Sequence, residues 1–453
     1  MSIDVVVLAA GQGSRMKSAL PKVLHPIGGK SMVQHVLDRA GKLGDINTHV
    51  VIGHGAQQLK DALAGQSITF ALQAEQLGTG HAVAQAMPEV TGSGVVLVLY
   101  GDVPLTAPET LQALVDIAGT GKLGLLTVEL CDPTGYGRIV RNEASKVVAI
   151  VEQKDASAEQ LAIRETNTGI MAVPYEHLSK WLPQLSAENA QGEYYLTDII
   201  SMAARDGIEI AAIQPESEEE VQGVNNRVQQ AQLERWYQRQ QAEALMVAGV
   251  SLADPARIDV RGSISHGQDV MIDVNVVLEG EVTLGDKVTI EANCLIRDAI
   301  IESGAHIKAN SHIEQAHVGT GCQVGPFARL RPGTELAAEA KIGNFVETKK
   351  SQIGAGAKVS HLSYIGDAQV GAGANIGAGT ITCNYDGVNK FRTDIGADAF
   401  IGSNTSLVAP VAVGKGATVA AGSTVTKDVG ECELAVARGK QRNISGWNKP
   451  VKR

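Results

Sequence analysis

The stretch Ile395–Val425, IGADAFIGSNTSLVAPVAVGKGATVAAGSTV, decides the fold of the C-terminal half of the chain. Ile395, Ile401, Leu407, Val413, Val419 and Val425 fall on a strict six-residue beat, and Gly396, Gly402, Gly414 and Ala420 follow four of them. Period six fits neither a helical stripe nor an alternating strand. It fits a solenoid in which each side of a coil takes one hexad and turns its aliphatic residue inward. Three hexads close a triangular coil, and each coil buries its apolar face only by stacking on its neighbours.

Working outward, Ile272, Leu278, Leu284, Ile290 and Ile296 keep the same beat. So do Ile301, Ile307 and Ile313, then Val318, Val324, Leu330, Leu336 and Ile342, then Ile353, Val359 and Ile365, then Val370 and Ile376. Slips of five between runs predict shortened corners. CNYDGVNKF (Cys383–Phe391) is too polar for a coil side and predicts a projecting loop. A sandwich of short strands would not hold one period for so long. The pattern resembles the left-handed parallel β-helix of the hexapeptide-repeat acyltransferases, a hand that departs from the usual crossover preference.

The chain has 453 residues, enough for two or three domains. At 44% hydrophobic and 19% charged residues it reads as a folded soluble protein. Its 4% aromatic content suits a core of Ile, Val and Ala. A formal net charge of -10 argues against a nucleic-acid partner and leaves a local phosphate site open. Cys131, Cys294, Cys322, Cys383 and Cys432 are scattered without a CxxC pair, so reduced thiols are expected and a zinc cluster is not. MSIDVVVLAAG lacks a basic n-region, and no apolar run reaches the roughly 20 residues of a membrane span. A cytoplasmic location is the expectation.

Residues 1–225 alternate strand-like and helix-like segments. Asp4–Ala10, His49–Gly53 and Gly94–Tyr100 read as strands; Met32–Leu43 and Gly78–Met87 read as helices. The pattern predicts a Rossmann-like α/β domain with a mostly parallel sheet, whose ligands sit beyond the carboxyl ends of the strands. The Gly11 loop and Asp102 both fall there. In LAAGQGSRMKSALPKVLH (Leu8–His25), Gly11 and Gly13 let backbone N–H groups approach a phosphate, while Arg15 and Lys22 add positive charge. The third glycine of a dinucleotide fingerprint is replaced by Met16, and GxxxxGK[ST] is absent. On these residues alone, phosphate binding and a plain turn both stand.

The same segment resembles the G-x-G-[ST]-R-M…P-K motif of the sugar-1-phosphate nucleotidyltransferases through Gly11, Gly13, Ser14, Arg15, Met16, Pro21 and Lys22. The resemblance implies that Leu8, Ala9, Ala10, Gly11, Arg15 and Lys22 hold the nucleoside triphosphate, with Arg15 and Lys22 acting in catalysis. Gln73, Gly78 and Thr79 of QAEQLGTGHA match the uracil readers of its uridylyltransferases. Tyr100, Gly101 and Asp102 of LYGDVPL, Gly137 of GYGRI, Glu152 of VEQKD, Asn167 of NTG and Asn225 of GVNNR complete the UTP and product site. Asp102, a carboxylate at a strand end near a phosphate loop, is a hard oxygen ligand suited to Mg²⁺. A plain turn cap is the other reading of it. By resemblance Asp102 and Asn225 hold the ion together.

Residues 226–248 contain no Gly or Pro and predict one polar, exposed helix between the domains, with Val228, Gln232, Trp236 and Leu245 along one side. The acidic run Pro215–Glu220 predicts a solvated loop. The domain boundaries are thus 1–225, 226–248 and 249–453.

In the solenoid, residues one coil apart lie above one another, and Arg331 and Lys349, eighteen apart, form a basic column suited to phosphate. His361, in the company of Lys349, Tyr364, Asn375 and Asn384, is a candidate base for acyl transfer to an amine. Here the whole chain resembles the bacterial bifunctional N-acetylglucosamine-1-phosphate uridylyltransferases/glucosamine-1-phosphate acetyltransferases. The resemblance implies that Arg331, Lys349, Tyr364 and Asn375 hold glucosamine-1-phosphate and that His361 accepts its proton. It also implies that Ala378, Asn384, Tyr385, Ser403, Ala421 and Arg438 line the acetyl-CoA site, and that the chain forms homotrimers. The basic tail leaves the roles of Lys440 and Arg442 open. The rival reading is a single-activity nucleotidyltransferase with a passive solenoid.

Overall fold

The structure, a computed structural model, describes residues 2–452. Contacts divide the chain into two compact units, one reaching to Tyr237 and one starting at Gln238.

The sheet of the first unit has the order Ile210–Ile213, Leu123–Glu129, Glu165–Pro174, Val95–Tyr100, Ile3–Leu8, Asn47–Ile52, Thr69–Leu72. Glu165–Pro174 runs antiparallel to both neighbours; the other pairings are parallel. Arg138–Arg141 and Val147–Val151 extend the sheet as an antiparallel pair. The central strand IDVVVL is buried throughout, as a parallel strand covered on both faces requires. It pairs with Val95–Tyr100 so that Leu8 lies beside Tyr100. The loops that follow, from Ala9 and from Gly101, therefore leave the sheet side by side. The first strand ends at Leu8, short of the expected Ala10, because the chain already turns toward Gly11. The predicted helices appear as Met32–Ala40 and Thr79–Ala86.

The acidic run departs from its expectation. Glu218–Val221 forms a 3₁₀ turn with Glu220 only 6% exposed. The Glu220 carboxylate accepts hydrogen bonds from the Ala107 N–H (3.2 Å) and the Thr110 hydroxyl (3.1 Å), capping the helix Pro108–Gly119 from outside its own sequence. A partner more than a hundred residues away makes this charge buriable, and local composition could not show it.

In the second unit three ladders of short parallel strands stack into a three-sided β-helix. Most coils take seventeen or eighteen residues, as from His306 to Gln323 and from Gln323 to Lys341. On one side Ile272, Ile290, Ile307, Val324, Ile342, Val359, Ile376, Ile401 and Val419 stack in register, all buried. Each such side chain contributes roughly 1.5–3 kcal/mol of burial. Cys322 replaces alanine in an inner column with Ala340, Ala357 and Ala374, and burial pushes its thiol pKa up to about 11. It is a packing residue. The coil from Asn375 to Phe400 carries the extra chain predicted to project, with Val388 at its exposed tip.

The predicted helix runs from Arg227 to Val247, but it is not the exposed arm that its polarity predicts. Val228 is 67% exposed and Gln232 is exposed; Leu233 packs with Met16, Ile27 and Met32, and Ala242 joins the solenoid core. Polar composition hid this stripe because one of its buried members is Gln238. That amide donates to the Val260 C=O (2.8 Å) and accepts from the Val260 N–H (2.7 Å) at the edge of the first coil. Replacing Gln238 by alanine strands both backbone groups, so urea unfolding of the C-terminal unit should show a loss of about 1–3 kcal/mol. Among the described residues no helix is long and apolar enough to cross a membrane.

Candidate active sites

A cleft of about 220 Å³ opens beyond the strand ends of the first unit. Leu8, Ala9, Ala10, Gly11, Lys22, Gln73, Gly78, Thr79, Tyr100 and Asp102 line it, joined by Val23, Gln76, Ala82 and Glu193, which sequence reasoning missed. Gly13 has a φ of +61°, and a Cβ on it would lie 2.6 Å from the Lys22 Cβ. Glycine at this position lets Lys22 pass close beneath the loop. Lys22 Nζ pairs with the Asp102 carboxylate and donates to Asn225 Oδ1 (3.2 Å), which also accepts from Arg15 Nη2 (2.9 Å). The Val224 N–H donates to the Asp102 C=O (2.9 Å) and so places Asn225 beside it. Residues 15, 22, 102 and 225 thus meet at one mouth of the cleft.

A second cluster adjoins it. The Asn167 N–H donates to the Gly137 C=O (2.9 Å), and Gly137 faces the Glu152 carboxylate closely enough that a Cβ would stand 3.3 Å from Oε1. Burial pushes the Glu152 carboxyl above its usual range, opposed by a hydrogen bond from Thr197 and reinforced by Asp155, Asp198 and Glu193. Tyr100 connects the clusters. Its ring packs on Gly169, and burial, then the charges of Glu152 and Asp102, hold its phenol protonated.

The donor set fits a divalent cation. One cationic nitrogen already reaches both the Asp102 carboxylate and the Asn225 amide oxygen, so two hard oxygens converge on one point. No cluster of three or more His, Cys, Asp or Glu side chains suited to a metal occurs among the described residues. That suits an ion such as Mg²⁺, which keeps waters and takes substrate phosphate oxygens for the rest of its shell.

On the solenoid two columns stand out. The first is electrostatic. Arg261, Glu279, Arg297 and Glu314 occupy successive coils at one register position, each ion-paired with the next. The alternation holds through Arg331 and fails one coil later at Lys349, a second cation in a row, which is followed by Gly366. Arg331 turns sideways to Glu347 (2.7 Å), so it is not the free cation that spacing suggested; Lys349 has no ion-pair partner among the described residues. Gly366 opens the surface above it, where the Tyr364 hydroxyl lies. Asp367 at this corner accepts a hydrogen bond from Asn384.

The second column stands at another corner. Asn344, His361, Ala378, Ser403 and Ala421 stack one per coil, through the pairs Asn344–His361, Val359–Ile376, Ile376–Ile401 and Ile401–Val419. Arg438 closes its upper end, Nη1 donating to the Ala421 C=O (2.7 Å). The side chains at 378, 403 and 421, above the imidazole, are all small. Asn375 lies on the same side as His361's strand, stacked over Lys358. Tyr385 leads the projecting loop, with the Lys390 ammonium 4.6 Å from its ring centre. The unequal coil lengths hid this column; in the structure Asn344 is a new member, and its amide oxygen lies 2.6 Å from His361 Nδ1.

Residues 5–149 match the model of the MobA-like NTP transferase domain, and residues 392–427 that of the hexapeptide repeat of succinyl-transferase. Residues 260–346 match the GMPPB C-terminal domain. The bifunctional protein GlmU of Marinobacter nauticus is 63% identical over 99% of both chains. The chain belongs to the bifunctional GlmU family. The GlmU proteins of Idiomarina loihiensis and Cellvibrio japonicus are each 61% identical, over 99% and 100% of both chains. With the hexapeptide match, the three-sided coil is the left-handed β-helix of that repeat class, and the family joins a nucleotidyltransferase to it.

Proposed function

We propose that the two sites act in sequence on one small sugar phosphate. The solenoid transfers an acetyl group from acetyl-CoA to the amine of glucosamine-1-phosphate. The α/β domain then joins the N-acetylated product to UTP, giving UDP-N-acetylglucosamine and pyrophosphate. The observation that carries this reading is the break in charge alternation at Lys349, where a second cation follows Arg331 and makes an anion seat on the solenoid that a passive scaffold does not need.

At the first site Arg331 and Lys349 hold the phosphate, with Tyr364 and Asn375 on the sugar. His361 takes the proton that the attacking nitrogen loses as the thioester carbonyl is attacked. Coenzyme A runs up the column of Ala378, Ser403 and Ala421 toward Arg438, with Asn384 and Tyr385 at the acetyl end. At the second site Gln73, Gly78 and Thr79 hold the base, Gly137, Glu152 and Asn167 the sugar, and Tyr100 and Gly101 the wall between. Arg15 and Lys22 neutralise the triphosphate while a sugar-phosphate oxygen attacks the α-phosphorus in line. Asp102 and Asn225 would hold Mg²⁺, which supplies further charge neutralisation. No protein base is needed there, since the attacking oxygen is already an anion.

Two parallel assays test the reading. Thiol release from acetyl-CoA and glucosamine-1-phosphate reports the first activity, and pyrophosphate from UTP and N-acetylglucosamine-1-phosphate the second. Pyrophosphate alone, from folded protein, favours the single-activity alternative.

The homotrimer belongs to the same proposal. Asn344, in the His361 column, ends the strand Lys341–Asn344 of one ladder and Lys349 ends the strand Glu347–Lys349 of another, with the turn at Phe345 between them, so the two columns stand at different corners of the coil. One chain therefore presents two half-sites, and a neighbouring copy would bring the complementary half. Co-expressed His361→Ala and Lys349→Ala chains, each inactive alone, should recover about a quarter of wild-type acetyl transfer, because each interface in a random cyclic trimer has about one chance in four of joining two intact halves. No recovery from well-formed oligomers would place both halves in one chain.

A further inference from the structure

We infer that Asn344 is the positioning residue for His361, holding its imidazole in the tautomer that carries the proton on Nδ1 and leaves the Nε2 lone pair free. This deepens the proposed acetyl transfer and rests on His361 being its base.

The argument starts from the stacking. Asn344 and His361 end neighbouring parallel strands, Lys341–Asn344 and Lys358–His361, and are direct register partners. Parallel stacking sets their side chains one above the other on the same side of the wall. The amide oxygen of Asn344 lies 2.6 Å from His361 Nδ1. An amide oxygen only accepts, so Nδ1 donates and the neutral ring has its lone pair on Nε2. The backbone braces both residues: the Leu362 N–H donates to the Asn344 C=O (3.0 Å), and the Ser363 hydroxyl to the His361 C=O (2.9 Å). Leu362, held at a φ of +49°, turns the chain between those two bonds.

The chemical identity of the partner matters as much as its place. Asn344 and His361 share a shallow groove with Gln323, Ser360, Lys308 and Lys341. Lys308 and Lys341 face it from the coils below, and Lys358 lies on the strand of His361 itself. No carboxylate lines that groove. A carboxylate in place of the amide would favour the imidazolium, which cannot accept a proton; a neutral acceptor fixes the tautomer without that bias. The sequence shows only an asparagine seventeen residues before a histidine, at a spacing that becomes one coil once the short corner is known.

The test compares Asn344→Ala, Asn344→Asp and His361→Ala in acetyl transfer, with pyrophosphate release as the fold control. Asn344→Ala should lower kcat about 10–10²-fold with little change in KM for acetyl-CoA, as loss of an outer partner does elsewhere. Nitrogen-15 NMR of labelled imidazole should show the Nδ1–H tautomer in the wild type and its loss in Asn344→Ala. Asn344→Asp should keep the tautomer, recover part of kcat near pH 8–9, and move the acidic limb of kcat/KM to higher pH by about one unit or more. If Asn344→Ala keeps wild-type kcat and tautomer while His361→Ala is inactive, the positioning role is wrong and the base stands. If His361→Ala itself remains active, the underlying reading fails instead.

Discussion

His361→Ala should reduce acetyl transfer by about 10²–10⁴-fold while uridylyl transfer stays within twofold of wild type. The amine of the sugar phosphate is protonated in neutral water, and its lone pair becomes nucleophilic only as that proton leaves. In the solenoid the imidazole stands at the lower end of the column of Ala378, Ser403 and Ala421. Alanine at 361 removes the acceptor and leaves Arg331, Lys349 and Arg438 unaltered, so KM for both substrates should move little and the loss should appear in kcat. Thiol release over the pH range gives the readout. A surviving rate that rises steadily toward pH 9, as free amine accumulates, supports the assignment; an unchanged neutral rate sinks it.

Asp102→Ala should have the opposite selectivity. Pyrophosphate formation should fall by at least about 10²-fold, because charge neutralisation at the transferring phosphoryl group is the main work of such a site. Acetyl transfer should be unaffected. Two causes can be separated. Asp102 pairs with Lys22, and in the proposed site it would also offer an oxygen to a metal ion. Asp102→Asn keeps an oxygen and loses the charge. If metal binding dominates, Asp102→Asn should recover part of its rate at high Mg²⁺ or with Mn²⁺, and Asp102→Ala should not. Pyrophosphate release by folded Asp102→Ala at near wild-type rate would remove Asp102 from the metal site.

Much of this arrangement is legible before folding. The six-residue beat from Ile272 to Val425 specifies a stacked coil because only one geometry repeats at that interval and buries every beat. The Gly11 loop and Asp102 are legible as neighbours because continuous apolar strands precede both, and parallel strands release their loops at one edge. The misreadings share a cause. Glu220 and Gln238 are polar residues buried by distant partners, the helix N-terminus after Ala107 and the open edge at Val260. Composition scores them as exposed because it cannot see a hydrogen bond to a partner 22 residues away, as for Gln238, or 113 away, as for Glu220. Arg331 stands in the column read from the sequence, but spacing did not show that Glu347, sixteen residues on, pairs with its guanidinium.

The sequence by itself determined the two architectures and the strand-end placement of the Gly11 loop, and it named the candidate residues for charge neutralisation and proton transfer. Local pattern suffices for these, since hydrophobic period and turn chemistry act over a few residues. Only the tertiary structure decided which of those residues meet. Coil lengths of seventeen, eighteen and twenty-five residues are set by corner geometry and by the projecting loop, and they alone bring Asn344, His361, Ala378, Ser403 and Ala421 into one line. Corners absorb the one-residue difference between seventeen- and eighteen-residue coils without breaking the columns, so the alignment exists only once the coils are stacked.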